Sequence, residues 1–258
     1  MILFLMPTPS DPESPVADRH IRSFVMRRGH ITAAQRRGVE ELLPAIAVPV
    51  ARTGAPESPT GPLAEPLGGP LDFAALFGRQ APVVLEIGFG MGETTAAIAQ
   101  AHPERDFLGV EVFMAGIGAL AQRVHQLGLT NLRIVQHDAV EVVRAMIPPA
   151  SLSAVHIFFP DPWPKARHHK RRLVAQPFLG ELAERLQPGG TLHCATDWEH
   201  YAEQMLAVLS EEPRLRNLHA GYAPEPRSPW CERPTTKFHA RGNRLGHGVW
   251  DLVFERRA

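Results

Sequence analysis

Val83-Val84-Leu85-Glu86-Ile87-Gly88-Phe89-Gly90-Met91-Gly92-Glu93 is the stretch on which the reading of the fold turns. An apolar run interrupted only by Glu86 enters three glycines at alternate positions, the pattern of a buried strand, a tight turn and a helix start. Glycine tolerates positive φ and has no Cβ, so backbone N–H groups and a helix N-terminus can come close to a polar ligand. The turn therefore reads as a cofactor cradle, although Gly-rich turns of this kind also serve as plain packing devices. Its spacing is G-x-G-x-G with Glu93 next, where a dinucleotide fingerprint requires G-x-G-x-x-G.

Strands and helices alternate beyond this turn. Helices are expected over Glu93 to Ala101 and Ala115 to Leu127, the latter closed by Gly128, with strands over Phe107 to Val112 and Leu132 to Gln136. A short helix over Val140 to Met146 precedes a strand over Val155 to Phe159, a Pro-rich loop to Arg167 and a helix from about Arg172 to Leu186. Pro188-Gly189-Gly190 turns into a strand over Thr191 to Thr196, Glu199 to Leu209 is helical, and Val249 to Glu255 is a final strand. Such alternation implies a parallel sheet covered on both faces. Upstream, residues 1–18 look disordered, and 19–50 read as a basic arm and a helix capped by Thr32 and ended by Pro44 and Pro49. Residues 51–70 form a Pro/Gly-rich linker or loop, and 71–258 the main domain.

A chain of 258 residues that is 44% hydrophobic can bury the core of one α/β domain with extensions. The apolar start, Met1 to Met6, is too short for a signal peptide and lacks basic residues before it. Charges or prolines interrupt every later apolar run, so no membrane partner is expected. Cys194 and Cys231 are too few for a disulfide framework, and neither has zinc-site spacing, which points to a reducing, cytoplasmic compartment. Formal charge is zero, but its distribution is uneven. Six arginines and no acid lie between Arg19 and Arg37, and Lys165, Arg167, Lys170, Arg171 and Arg172 follow one another with two histidines and no acid. One such run is usually a solvated face; two suggest contact with phosphate.

In sheets of this class ligands bind beyond the carboxyl ends of the strands, and each relevant strand here ends in or near an acid. Glu111 stands nineteen residues beyond Gly92, where a carboxylate can accept from both ribose hydroxyls. Asp138 is suited to accept from an adenine amino group, with a helix cap before Ala139 as the competing role. Glu86, beneath the turn, could meet the methionine end of S-adenosyl-L-methionine (SAM). With Gly88, Gly90 and Gly92, these acids match SAM methyltransferases better than dehydrogenases.

Phe158-Phe159-Pro160-Asp161-Pro162-Trp163-Pro164-Lys165 is the most specific element. Three prolines stiffen the loop at the end of the fourth strand and hold Asp161 between two of them, as suits a catalytic carboxylate. Trp163 and Phe238 are candidates to stack on an extruded base, with core packing as the other role for each.

With this loop, the glycine turn, Ile21-Arg22-Ser23-Phe24-Val25 and Thr236-Lys237-Phe238, the chain resembles the bacterial tRNA (guanine-N7)-methyltransferases from about Arg22 to the C-terminus. The resemblance implies a class I SAM-dependent methyltransferase (Rossmann-like) fold: a mostly parallel seven-stranded sheet, helices on both faces and an antiparallel edge strand. It implies methylation of the variable-loop guanosine, position 46, of tRNA, with SAM as cofactor and no metal. Glu86, Glu111, Asp138 and Asp161 would line the cofactor and reaction centre. Lys165, Asp197, Thr236, Lys237, Phe238 and His239 would contact the substrate, and Arg167, His168, His169, Lys170, Arg171 and Arg172 would lie on the RNA. No obligatory protein partner is expected, the chain acting as a monomer or homodimer. His239 stands where the family usually has glutamate, so no fixed negative charge is available there at neutral pH. Two alternatives remain at this level: a SAM enzyme acting on a small molecule, and a non-catalytic tRNA-binding protein with a vestigial methyltransferase fold.

Overall fold

The computed structural model describes residues 23–24, 31–50, 68–224, 227–228, 231–234 and 248–258. The expectations for residues 1–18, for most of the basic arm and for 51–67 lie outside the described residues, as do those for Thr236, Lys237, Phe238 and His239.

Strands β1 (Val83–Ile87), β2 (Asp106–Glu111), β3 (Leu132–Gln136), β4 (Leu152–Phe158), β5 (Leu186–Thr196) and β6 (Leu215–Asn217) come first in the chain. A short antiparallel pair, β7 (Arg227–Ser228) with β8 (Cys231–Glu232), and then β9 (Trp250–Arg256) complete the strands. Seven of them form one sheet in the order β3-β2-β1-β4-β5-β9-β6. β1 to β5 pair in parallel, and β9 runs antiparallel between β5 and β6. The antiparallel strand expected at the edge therefore lies one place in. The true edge, β6, is three residues long, too short to carry an alternating pattern.

Helices α1 (Ala33–Arg37), α2 (Phe73–Phe77), α3 (Glu93–Ala101), α4 (Met114–Leu127), α5 (Ala139–Ala145), α6 (Phe178–Arg185) and α7 (Glu199–Glu211) fill the connections. Side chains alternate across β1: Val83, Leu85 and Ile87 join residues of α5, α6 and α7 in one core layer. Val84 joins α3 and α4 in the other. Thr32 caps α1 in a reciprocal box with Gln35, as its position suggests. The chain continues from α1 as a π turn over 38–42 and a 3-10 turn over 43–45. The helix expected from about Arg172 begins at Phe178, because Arg172 turns inward in extended conformation after a 3-10 turn over 166–171. Among the described residues no helix is long and apolar enough to cross a membrane.

The N-terminal segment lies on α4 backbone to backbone. A Cβ at Gly118 would stand 2.1 Å from the Gln35 carbonyl oxygen, and one at Gly38 would stand 2.2 Å from that of Gly118. Backbone cannot yield as a side-chain tip can, so Gly118→Ala must push the segment off. Overpacking of this kind costs about 1–3 kcal/mol. Thermal unfolding of Gly118→Ala is expected to show Tm lowered by several degrees; an unchanged Tm would mean that the segment does not dock there.

Candidate active site

The carboxyl ends of β1, β2, β4 and β5 bring the candidate residues to one edge of the sheet. Gly88 continues the ladder by donating its N–H to the Val110 carbonyl at 2.8 Å, and Gly88, Gly90 and Gly92 all have positive φ. A Cβ at Gly88 or Gly90 would meet nothing within 4 Å, whereas one at Gly92 would press into Leu120 of α4. The first two glycines thus keep an open cradle, and the third lets α3 start against α4.

Glu111 holds the turn. One carboxylate oxygen accepts the Gly90 N–H at 2.9 Å, and the other accepts those of Val112 at 2.7 Å and Phe113 at 3.0 Å. Its oxygens retain lone pairs for hydroxyl donors. Asp138, 8% exposed, caps α5 through Oδ1, which accepts the Val140 N–H at 2.9 Å. The competing cap role anticipated for it is realised, and it fixes where the carboxylate stands.

Glu86 is 3% exposed, and neither its Oε2 nor the neighbouring Thr95 Oγ1 has a hydrogen-bond partner. Burial pushes its carboxyl up to about 7, with a further push from the Glu111 charge. Buried polar atoms are ordinarily paired, so orphans directly under a glycine cradle mark a place for a polar ligand group.

Phe158-Phe159-Pro160-Asp161 leaves β4, the neighbour of β1. Phe159 and Trp163, at φ 53° and 46°, bracket Asp161 with two non-glycine residues in left-handed conformation. Each such residue costs about 1–3 kcal/mol, a strain concentrated at functional sites. Trp163 is occupied: its indole N–H donates to the Ser23 carbonyl at 3.1 Å, and the Arg171 guanidinium lies 4.8 Å from its ring centroid. It latches the arm to the loop.

Lys165, Arg167 and Lys170 are exposed, with His168, His169 and Arg171 half-buried beside them. Partial burial, and then neighbouring cations, hold both histidines below their ordinary range. Arg172 departs from the expected RNA face. It is 3% exposed, donates to the Pro162 carbonyl at 2.8 Å, reaches His200 and Gln204, and lies over the Tyr201 ring. A 3-10 turn repeats every three residues, so Arg172 follows His169 onto the side that faces His200. Asp197 is exposed at the end of β5.

Some residues at this edge carried no usable sequence signal. Met91, Met114 and Trp198, three of the four large apolar side chains most exposed among the described residues, sit at the ends of β1, β2 and β5. Arg233 is buried beside Phe158 and Phe159.

Comparison with known proteins decides the family. Residues 80–252 match the family model described as "Putative methyltransferase". The chain is 60% identical over 245 residues to the tRNA (guanine-N(7)-)-methyltransferase of Bordetella pertussis, covering 95% of this chain and 88% of that one. It is 56% identical over 249 residues to the Burkholderia vietnamiensis protein of that name, covering 96% and 90%. The chain belongs to the tRNA (guanine-N7)-methyltransferase family.

Solved structures agree on the fold. The 16S rRNA methyltransferase KamB superposes with a TM-score of 0.53 at 17% identity, covering 74% of this chain and 96% of that one. The 16S rRNA (adenine(1408)-N(1))-methyltransferase of Catenulisporales acidiphilia gives 0.50 at 18% identity, covering 74% and 94%. That enzyme was solved with SAM as its cosubstrate. The edge described above fits SAM on its own terms, through the open cradle at Gly88 and Gly90, the Glu111 carboxylate and the orphaned oxygen of Glu86.

Because the Glu86 carboxyl stays protonated up to about 7, folding raises it above its unfolded value near 4.5. The sign follows: between these values the folded state binds more protons, so stability falls as pH rises through that window, by about 3 kcal/mol in the ligand-free protein. Glu86→Gln is therefore expected to raise the ligand-free Tm at pH 8. SAM affinity of the unmutated protein should weaken up to about tenfold per pH unit below 7, a slope Glu86→Gln removes. Calorimetric titration from pH 6 to 8 reads both; a flat profile would sink the assignment of Glu86 to a cationic group.

Proposed function

We infer that the protein methylates N7 of the guanine at position 46 in the variable loop of tRNA, with SAM as methyl donor. The observation that carries this reading is the placing of Asp161, held between two left-handed residues beside the glycine cradle and followed by exposed cations. The relatives' shared name supplies the substrate and the target atom.

When bound, SAM supplies an electrophilic methyl group on a sulfonium centre. Glu86, Gly88, Gly90, Gly92, Glu111 and Asp138 would hold it, Glu86 offering negative charge to its cationic end and Glu111 lone pairs to its ribose hydroxyls. Guanine N7 offers a lone pair and bears no proton, so no side chain has to remove one. The protein's part is alignment and charge. Asp161 orients the base and offsets the positive charge that arrives on the purine, while Pro160 and Pro162 fix where it points. Lys165, Asp197 and the segment Thr236, Lys237, Phe238, His239 complete the base site. His239 offers a hydrogen bond there in place of a carboxylate. Arg167, His168, His169, Lys170 and Arg171 face the RNA, and Trp163 joins them to the arm. The reaction takes place in the cytoplasm, on a monomer or a homodimer.

Incubation with unmodified tRNA and labelled SAM, followed by nuclease digestion, should yield 7-methylguanosine; label on any other nucleoside would overturn the target atom. Asp161→Asn is expected to slow single-turnover methylation about 10²-fold at saturating RNA, and an unchanged rate would remove Asp161 from the mechanism.

Replacing Arg167 and Lys170 together by alanine should raise KM for tRNA about tenfold. It should also flatten log K against log salt by about 1.5, leaving SAM affinity alone. An unaltered slope would take this turn off the RNA.

A further inference from the structure

We propose that Arg233, held by Asp251 and His193, is a positioning residue for methyl transfer: it fixes the strained exit of β4 and, through it, the placing of Asp161. The inference rests on the role of Asp161 given above.

Arg233 is 1% exposed, and its guanidinium grips Asp251 with both arms, Nε to Oδ1 at 2.9 Å and Nη2 to Oδ2 at 2.6 Å. His193 Nε2 meets the same Oδ1 at 2.8 Å. Hydrogen bonds from His193 and Arg233 outweigh burial and hold Asp251 below the usual carboxylate range. Burial holds His193 below its own ordinary range, and its Nε2, facing a carboxylate oxygen that can only accept, is the donor of this bond.

The other faces of this cluster are aromatic. The guanidinium lies 5.2 Å from the Phe159 ring centroid and 5.9 Å from that of Phe158. His193 meets the Phe158 ring edge-on at 5.0 Å, and His156 stacks on it at 5.1 Å. The backbone carries the same link: Phe159 donates its N–H to the Ala195 carbonyl at 2.8 Å, and Ala195 pairs with Asp251 across the sheet. Ion pair, ladder and rings thus converge on Phe159, the left-handed residue two positions before Asp161.

A buried ion pair is a weak source of stability, since apolar replacements of both partners are often as stable. This one sits where a bulky residue must be kept at positive φ. A guanidinium suits the task because its planar fork fixes direction while its face packs on aromatic rings.

The test uses the full chain with tRNA. Arg233→Met alone strands a buried carboxylate, so the informative variant is Arg233→Met with Asp251→Asn, which removes both charges and leaves an acceptor for His193. Arg233→Lys serves as the charge-retaining control. The double variant is expected to lose at least tenfold in kcat, with SAM affinity within twofold and Tm within a few degrees of the unmutated protein; Arg233→Lys falls between. An unchanged kcat overturns the proposal, as does a parallel loss of SAM affinity, which would mean general damage.

Combining the double variant with Asp161→Asn separates the clamp from the reading it rests on. No further loss supports action through Asp161, and a fully multiplicative loss overturns it. Asp161→Asn with unaltered kcat would sink the Asp161 role itself, a result independent of what the clamp variants do.

Discussion

Parallel pairing of β1 with β4 is the constraint on which the site depends. Ile87 stands level with Ile157, so the glycine turn and the Phe158-Phe159-Pro160-Asp161 exit leave adjacent strands at the same height. Parallel strands also share a direction, and this places the Glu111 end of β2 and the Asp197 end of β5 along the same rim. Four connections of different lengths then need only short reaches to converge. The helices on the two faces hold the rim still, since the alternating residues of β1 are committed to two separate core layers.

The rim is held at an energetic cost. Orphaned buried atoms at Glu86 and Thr95 lie under the cradle, and Phe159 and Trp163 keep backbone angles that bulky residues rarely adopt. These costs are tolerated because the surroundings over-determine them. Glu111 binds three backbone amides, Arg172 ties the Pro162 carbonyl, and Trp163 is latched to the arm. A fold selected only for stability would have little use for a buried carboxyl in its sheet.

What could be read from the sequence followed from how local each signal was. β1, β3 and α3 fall where the pattern puts them, because short, mainly apolar stretches bounded by glycine or polar residues state both type and limits. β6 and the start of α6 were missed for opposite reasons. The first is too short to show a period, and the second follows a basic run whose last member is buried. Arg172 shows the general difficulty: a like-charged run looks the same whether every member is solvated or one turns in to bind a carbonyl. Arg233 and Asp251 are eighteen positions apart, and His193 is fifty-eight from Asp251; no periodicity connects them. The acids at the strand ends were legible because sheet topology makes strand ends meet, whatever the intervening length.

The chemistry explains why so much of this molecule is devoted to holding still. Methylation at an atom with a free lone pair asks for no general base, so the barrier is lowered chiefly by alignment and by charge placed in advance. Both are lost when a carboxylate can swing. A loop with a proline on either side of its acid, and a left-handed residue outside each proline, has few ways to move. The contacts that fix it come from β5, β9 and the segment before Thr236, elements remote in sequence from the loop. Placement of the reacting groups is therefore a property of the whole carboxyl half of the sheet, which is where sequence motifs end and tertiary structure begins to decide.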